Sequence, residues 1–114
     1  MAEQQESNIP TINREYQRAV LVAVCRDRQP MAQVEEYLAE LEFLAETAHI
    51  ITERCFVQKL PTPDSRYFVG PGKLEEIRDW CEENEIDVVI FDDELSPSQT
   101  RNIEKVVGRR ISDR

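Results

Sequence analysis

Residues 19–25 read AVLVAVC, an unbroken apolar run between Arg18 and Arg26. A strand that is solvated on one face alternates apolar and polar side chains, whereas this run has no polar member. It therefore predicts a strand covered on both faces, as in the centre of a parallel sheet. The run DVVIF at residues 87–91 predicts a second strand of the same buried kind.

Three segments between and after these runs predict helices. In the first, five glutamates lie largely opposite an apolar stripe, which is typical of an amphipathic helix with an acidic solvated face. The second begins around Pro71 and ends near Asn84, and the third spans residues 96–107, with Ser96 and Gln99 as a capping box. The predicted apolar face of the first helix comprises Val34, Leu38, Leu41, Phe43, Leu44, Ala45 and Ala48.

Two more strands complete the pattern. HIITERCFV at residues 49–57 alternates more and predicts a strand nearer the sheet edge, and residues 109–112 leave room for a short last strand. The order βαβαβαβ predicts an α/β fold, a four-stranded, mainly parallel sheet with helices packed on its faces. We expect residues 1–16 to be a flexible leader, since they lack a hydrophobic period, and residues 17–114 to be one domain.

Composition restricts the class of protein. No stretch approaches the roughly 18 apolar residues of a membrane span, and the polar N-terminus lacks the apolar core of a secretory signal, so we expect a cytoplasmic protein. The net charge of −9 argues against broad nucleic-acid affinity, so that any RNA contact has to be local.

The residues that commonly carry catalysis form no recognisable site. Cys25, Cys55 and Cys81 lack a CxxC spacing and have only His49 as a nitrogen ligand, which argues against zinc. Because each cysteine is flanked by apolar residues, we expect three buried free thiols in a reducing compartment. His49 has no identifiable serine or cysteine partner, so the sequence predicts no catalytic residue.

YFVGPGK at residues 67–73 places two glycines and a lysine at a helix start, where free N–H groups favour an anion. It does not match a nucleotide P-loop, which needs a glycine at Tyr67 and a hydroxyl residue at Leu74. Two interpretations stay open. Gly70 and Gly72 supply unusual backbone angles for a tight turn, or they bind a phosphate together with Lys73.

Asp92 and Asp93 follow a predicted buried strand at its carboxyl end, where open α/β sheets place ligands. They are weak candidates for holding Mg²⁺ or Mn²⁺. The competing interpretation is structural, because carboxylates also favour the positive end of the helix that Ser96 begins.

Basic residues concentrate in loops at strand ends. If loops after neighbouring parallel strands converge, these cations and one tyrosine form a compact tip that contacts RNA or phosphate. The alternative is scattered surface cations that pair with helix ends. The candidate contact residues are Arg26, Arg28, Lys59, Arg66, Tyr67, Gly70, Gly72 and Lys73.

Three segments, YFVGPGKLEEI at residues 67–77, VVIFDDELSPSQTRNIEK at 88–105 and ISDR at 111–114, carry a family resemblance. Together they resemble the N-terminal domain of the HflX family of ribosome-associated GTPases, over roughly residues 18–114. The ordered string DDELSPSQTRNIE is the specific part, since so long a match is improbable by chance. Pro71 between the glycines and Ser112 in the last strand depart modestly from the pattern.

The resemblance implies a GTPase of translation that binds the large (50S) ribosomal subunit and hydrolyses GTP with Mg²⁺ in a separate downstream domain. It implies that this chain ends before that domain, as an excised domain would, and has no cofactor of its own. Its role would be ribosome docking through rRNA and regulation of its own GTPase domain. Two alternatives stay open: a nucleotide- or phosphate-binding module that uses the GPGK helix start, and a purely structural protein-interaction domain.

Overall fold

A computed structural model describes residues 16–114, which form one four-stranded sheet with three helices. The strands are β1 (Gln17–Cys25), β2 (Ile50–Lys59), β3 (Val88–Phe91) and β4 (Arg110–Ser112), and the helices are α1 (Met31–Thr47), α2 (Pro71–Glu83) and α3 (Pro97–Val107). The strand order is β2-β1-β3-β4, and every pairing is parallel. The predicted α/β fold is confirmed. All but the last residue of the predicted leader lies outside the described residues.

The run AVLVAVC is central because β1 pairs with β2 on one side and β3 on the other. Its side chains alternate between two apolar clusters. Val20 and Val22 pack with residues of α2 and α3, whereas Leu21 packs with residues of α1. All three are fully buried, which explains why the strand tolerates no polar side chain.

The chain changes direction across the sheet after β2. The first crossover leads from β1 to one neighbour, and the second passes β1 to reach β3 on its other side. With right-handed crossovers, α1 therefore covers one face, and α2 and α3 cover the other. The point of reversal lies between β1 and β3, and open α/β sheets bind ligands at such a point.

Two expectations about buried residues were wrong. Phe43 and Leu44 are 65% and 50% exposed and Ala48 is exposed, whereas the rest of the predicted apolar face of α1 is buried. Phe43 follows the buried Leu41 by two positions, which is about 200° around a helix. Cys55 is exposed because β2 is an edge strand of the described sheet, while Cys25 and Cys81 are buried thiols as predicted.

The ends of α3 follow the sequence signals. The Ser96 hydroxyl accepts a hydrogen bond from the Gln99 N–H, and the Gln99 side chain accepts one from the Ser96 N–H, which completes the predicted capping box. Gly108 ends the helix in the left-handed conformation, with φ 69°. Across residues 16–114, no helix is long and apolar enough to cross a membrane.

Candidate functional site

The loop that follows β1 is a tight turn held by its own side chains. Gln29 donates its N–H to the Arg26 carbonyl at 3.1 Å, and its side-chain oxygen accepts from the Arg26 N–H at 3.0 Å. Arg28 has a φ of 67°, an uncommon conformation for a residue with a side chain. The turn leaves the Arg28 side chain exposed at the carboxyl edge of the sheet.

Three of the predicted cations lie together at this edge. Arg26, Arg28 and Lys59 line a cleft of about 280 Å³ between the loops that follow β1 and β2. The Leu60 N–H donates to the Cys25 carbonyl at 3.1 Å and joins the two loops. Within residues 16–114, neither Arg28 nor Lys59 forms an ion pair. The cleft therefore presents two cations that carboxylates leave uncompensated, with Asp27 as its acidic neighbour.

A second cleft of about 340 Å³ lies between the ends of β1 and β3, where the chain reverses its direction of travel across the sheet. Ion pairs line this cleft. Arg26 Nη2 lies 2.8 Å from Asp93 Oδ2, and the Arg114 guanidinium pairs with Asp92 and, at 3.4 Å, with Glu40. The hydrogen bond with Asp92 raises the pKa of Arg114. Tyr37 lines the same cleft from α1.

Asp92 and Asp93, the weak metal candidates, are thus neutralised by arginines. A metal ion would have to displace Arg114 from Asp92, whose side chain is only 6% exposed, and Arg26 from Asp93. The residues that the structure describes contain no group of three or more His, Cys, Asp or Glu side chains that could hold a metal ion. These contacts favour the structural interpretation of the two carboxylates.

The loop between β2 and α2 closes on itself. Asp64 and Phe68 exchange two backbone hydrogen bonds of 2.9 Å, and Asp64 Oδ1 accepts from the N–H groups of Arg66 and Tyr67 at 2.7 and 2.8 Å. Two side chains of α3 hold the closed loop from outside. Gln99 donates to the Asp64 carbonyl at 3.0 Å and Asn102 to the Arg66 carbonyl at 3.2 Å.

The unusual backbone angle of this loop belongs to Phe68, with φ 68°. Gly70 has φ −66° as the N-cap of α2, and Gly72 lies within α2, so the prediction that these glycines supply unusual angles was wrong. The buried Phe68 ring meets Phe91 edge-on, with ring centroids 5.7 Å apart. The 2.7 Å hydrogen bond from Val69 N–H to the Tyr67 carbonyl closes a γ-turn around Phe68, and burial of the ring offsets its strain.

The remaining predicted contact residues lie in neither cleft. Arg66 is exposed, and its guanidinium carbon lies 5.3 Å from the centroid of the half-buried Tyr67 ring. Lys73 Nζ pairs with Glu76 at 3.0 Å, and the Gly70 N–H donates to the Gln58 side chain at 2.9 Å. The helix start of α2 therefore has its cation and its N-cap N–H engaged within the chain.

Sequence reasoning missed the residues that join distant segments. Gln58 satisfies Gly70, Asn102 holds the Arg66 carbonyl, and Asp113 accepts the Leu95 N–H at 2.7 Å. Their partners lie 12 to 36 positions away in sequence. Asn102 and Asp113 fall within the motif that carries the family resemblance, and this was the one signal that could have singled them out.

The chain is similar to known proteins over most of its length. A family model described as GTP-binding GTPase N-terminal matches residues 35–114. The GTPase HflX of Flavobacterium psychrophilum is 41% identical over 104 residues, which cover 91% of this chain and 25% of that protein. The GTPase HflX of Escherichia coli is 37% identical over 79 residues, covering 69% of this chain and 18% of that protein.

The solved structures show the same fold. A crystal structure of SsGBP in complex with GDP superposes with a TM-score of 0.62 at 23% identity, covering 85% of this chain and 26% of that one. The chain spans 25% and 18% of the length of the two curated relatives cited above and 26% of this solved structure.

Proposed function

The chain belongs to the HflX family of GTPases, whose N-terminal domain it matches, and from this premise we propose that it docks such a GTPase onto the large ribosomal subunit. The observation that carries the proposal is the pair Arg28 and Lys59, exposed and without an ion pair among the described residues, in one cleft with Arg26. Cations in this arrangement bind phosphates of rRNA.

Charge distribution supports a contact at this edge. The five glutamates of α1 have no basic residue beside them on that helix, so its exposed face repels RNA. The carboxyl edge instead presents Arg28 on the loop after β1 and Lys59 as the last residue of β2, and backbone hydrogen bonds fix both segments. A domain with a net charge of −9 would therefore approach the ribosome with this edge rather than with α1.

The proposal assigns GTP binding and Mg²⁺-dependent hydrolysis to a GTPase domain outside this chain. The domain of the present chain would supply rRNA contacts and would influence GTP hydrolysis through its contact with that GTPase domain. Both would act in the cytoplasm, where ribosomes are. No step of GTP hydrolysis is assigned to a residue of this chain.

Co-sedimentation of the 114-residue chain with purified 50S subunits tests the proposal. A double variant, Arg28→Gln with Lys59→Gln, removes the two uncompensated cations. Its matched control, Arg54→Gln with Arg78→Gln, removes the same charge from cations that pair with Glu76 and Asp79. We expect the first variant to bind roughly tenfold more weakly at moderate salt and the control to bind like the parent chain. Equal binding by both variants would rule out this cleft.

The nucleotide-binding alternative has a separate test. Trp80 is half-buried against Phe56, with ring centroids 6.2 Å apart, and it lies on α2, the helix that the GPGK segment begins. A phosphate at this helix start would compete with the Lys73–Glu76 pair and change the surroundings of α2. We expect millimolar GTP or ATP with Mg²⁺ to leave Trp80 fluorescence unchanged. A saturable change would favour the alternative.

A further inference from the structure

α3 differs from the other helices in charge. It contains two basic residues, Arg101 and Lys105, and one acidic residue, Glu104, whereas acidic residues outnumber basic ones on α1 and on α2. Arg101 and Lys105 are both exposed, and within residues 16–114 neither forms an ion pair. In a chain with a net charge of −9, α3 is thus a local basic surface.

The loop that carries Arg66 continues this surface. Asn102 holds the Arg66 carbonyl at 3.2 Å, and Lys105 lies three positions after Asn102 and four after Arg101. Residues three and four apart are neighbours on a helix, so Lys105 is adjacent both to Arg101 and to Asn102, the residue that holds the Arg66 loop. We call Arg66, Tyr67, Arg101 and Lys105 the α3 surface.

The chemistry of the α3 surface combines a planar stack with point charges. The Arg66 guanidinium lies over the Tyr67 ring at 5.3 Å, and no carboxylate among the described residues pairs with it. The hydrogen bonds from the Arg66 and Tyr67 N–H groups to Asp64 order the loop before any ligand binds, which lowers the entropic cost of binding. A planar cation on an aromatic ring is a platform on which an unpaired base stacks.

We infer that the α3 surface binds single-stranded RNA, with an unpaired base stacked on Arg66 and Tyr67 and backbone phosphates on Arg101 and Lys105. The choice of RNA rests on the proposed function, whereas the surface is separate from the cleft of Arg28 and Lys59. An acidic protein segment would satisfy the cations, but it would supply no base for the stack.

The stack is tested by two substitutions that preserve charge. Fluorescence polarisation measures binding of the 114-residue chain to a labelled single-stranded RNA of about ten nucleotides and to its duplex. Arg66→Lys keeps the charge but removes the planar group, while Arg101→Lys keeps the point charge that a phosphate needs. We expect Arg66→Lys to weaken single-strand binding roughly tenfold, Arg101→Lys to change it less than about twofold, and the duplex to bind more weakly than the single strand.

The phosphate contacts are tested by salt dependence. Arg101→Gln with Lys105→Gln should lower the slope of log affinity against log salt by about 1.4, since each phosphate contact on a single strand contributes about 0.7. The control, Arg54→Gln with Arg78→Gln, should leave the slope unchanged. Circular dichroism of every variant verifies that the fold is intact.

The inference is overturned if the parent chain does not bind the single strand, if the duplex binds equally well, or if Arg66→Lys and Arg101→Lys behave alike. Failure of the proposed function gives a different result. Single-strand binding that depends on Arg66, in a chain that does not sediment with 50S subunits, would retain the α3 surface and remove ribosome docking. If instead every α3-surface variant sediments with 50S subunits and the parent chain does not bind the single strand, ribosome docking is retained and RNA binding by the α3 surface is removed.

Discussion

The Arg26 guanidinium donates a 2.8 Å hydrogen bond to the Asp93 carboxylate and joins the loop after β1 to the loop after β3. These are the two strands between which the sheet reverses direction, where α/β proteins with bound cofactors leave an open crevice. Here Arg26 and Arg114 neutralise both carboxylates at that point. At this crevice ion pairs therefore connect the loops to each other. Arg28 and Lys59, which form no ion pair within residues 16–114, lie in the neighbouring cleft.

The ion pairs of Asp92 and Asp93 should differ in their effect on stability. Asp92→Asn should lower the free energy of unfolding by about 1–2 kcal/mol, because the Asp92 side chain is 6% exposed and pairs with Arg114. Asp93→Asn should cost about 0.5 kcal/mol, since its pair with Arg26 is partly exposed to solvent. Urea denaturation followed by Trp80 fluorescence measures both. Equal losses of unfolding free energy would contradict the predicted difference between the two ion pairs.

Gln99 should contribute more to stability than its capping partner. Ser96→Ala removes one capping hydrogen bond and should cost about 1 kcal/mol. Gln99→Ala also removes the hydrogen bond to the Asp64 carbonyl and should cost about 2 kcal/mol. Gln99→Glu keeps the acceptor for the Ser96 N–H and loses the donor to Asp64, so its cost should fall between the two. Thermal and urea unfolding would refute this order if Ser96→Ala were the most damaging.

Two glycine substitutions should have opposite signs. Gly72 lies in the first turn of α2 with no atom within 4 Å of an added Cβ, so Gly72→Ala should stabilise the fold by about 0.5 kcal/mol. Gly108 ends α3 with φ 69°, and Gly108→Ala should destabilise it by about 1 kcal/mol. Both are exposed, so unfolding midpoints report the backbone effect directly. The same sign for both would be inconsistent with these backbone angles.

Cys81 should make stability depend on alkaline pH. Burial raises the pKa of its thiol from 9.0 to about 11, so the folded state favours the neutral form. Its contribution is fully present below pH 9 and is lost as the pH rises towards about 11, because the unfolded chain ionises first. The difference in unfolding free energy between the parent chain and Cys81→Ala should therefore shrink over this window. A difference that is constant with pH would contradict the raised pKa of the Cys81 thiol.

Local patterns predicted the elements well. The apolar run of β1, the capping box at Ser96 and Gln99, and the edge position of β2 all agree with the structure. Each depends on a few neighbouring residues and the faces they must cover. The pattern failed at Phe43 and Leu44, which extended the apolar stripe of α1 past the arc that the sheet can cover.

Contact residues were harder to predict because strand-end loops were treated as equivalent. Arg26, Arg28 and Lys59 do converge, as the parallel sheet suggested. Arg66 instead lies against α3, and Lys73 is bound to Glu76 within its own helix. Counting cations in loops cannot reveal which of them a carboxylate already neutralises.

The sequence by itself determined the order of the elements, the parallel sheet and the family, because hydrophobic period, capping and motif are properties of contiguous residues. Tertiary structure alone decided which charges remain available. Arg26 meets Asp93 across 67 positions and Arg114 meets Asp92 across 22, and only the path of the chain through the sheet brings these groups within hydrogen-bond distance. Arg28, Lys59 and the cations of the α3 surface are among those that this path leaves without an ion pair within residues 16–114.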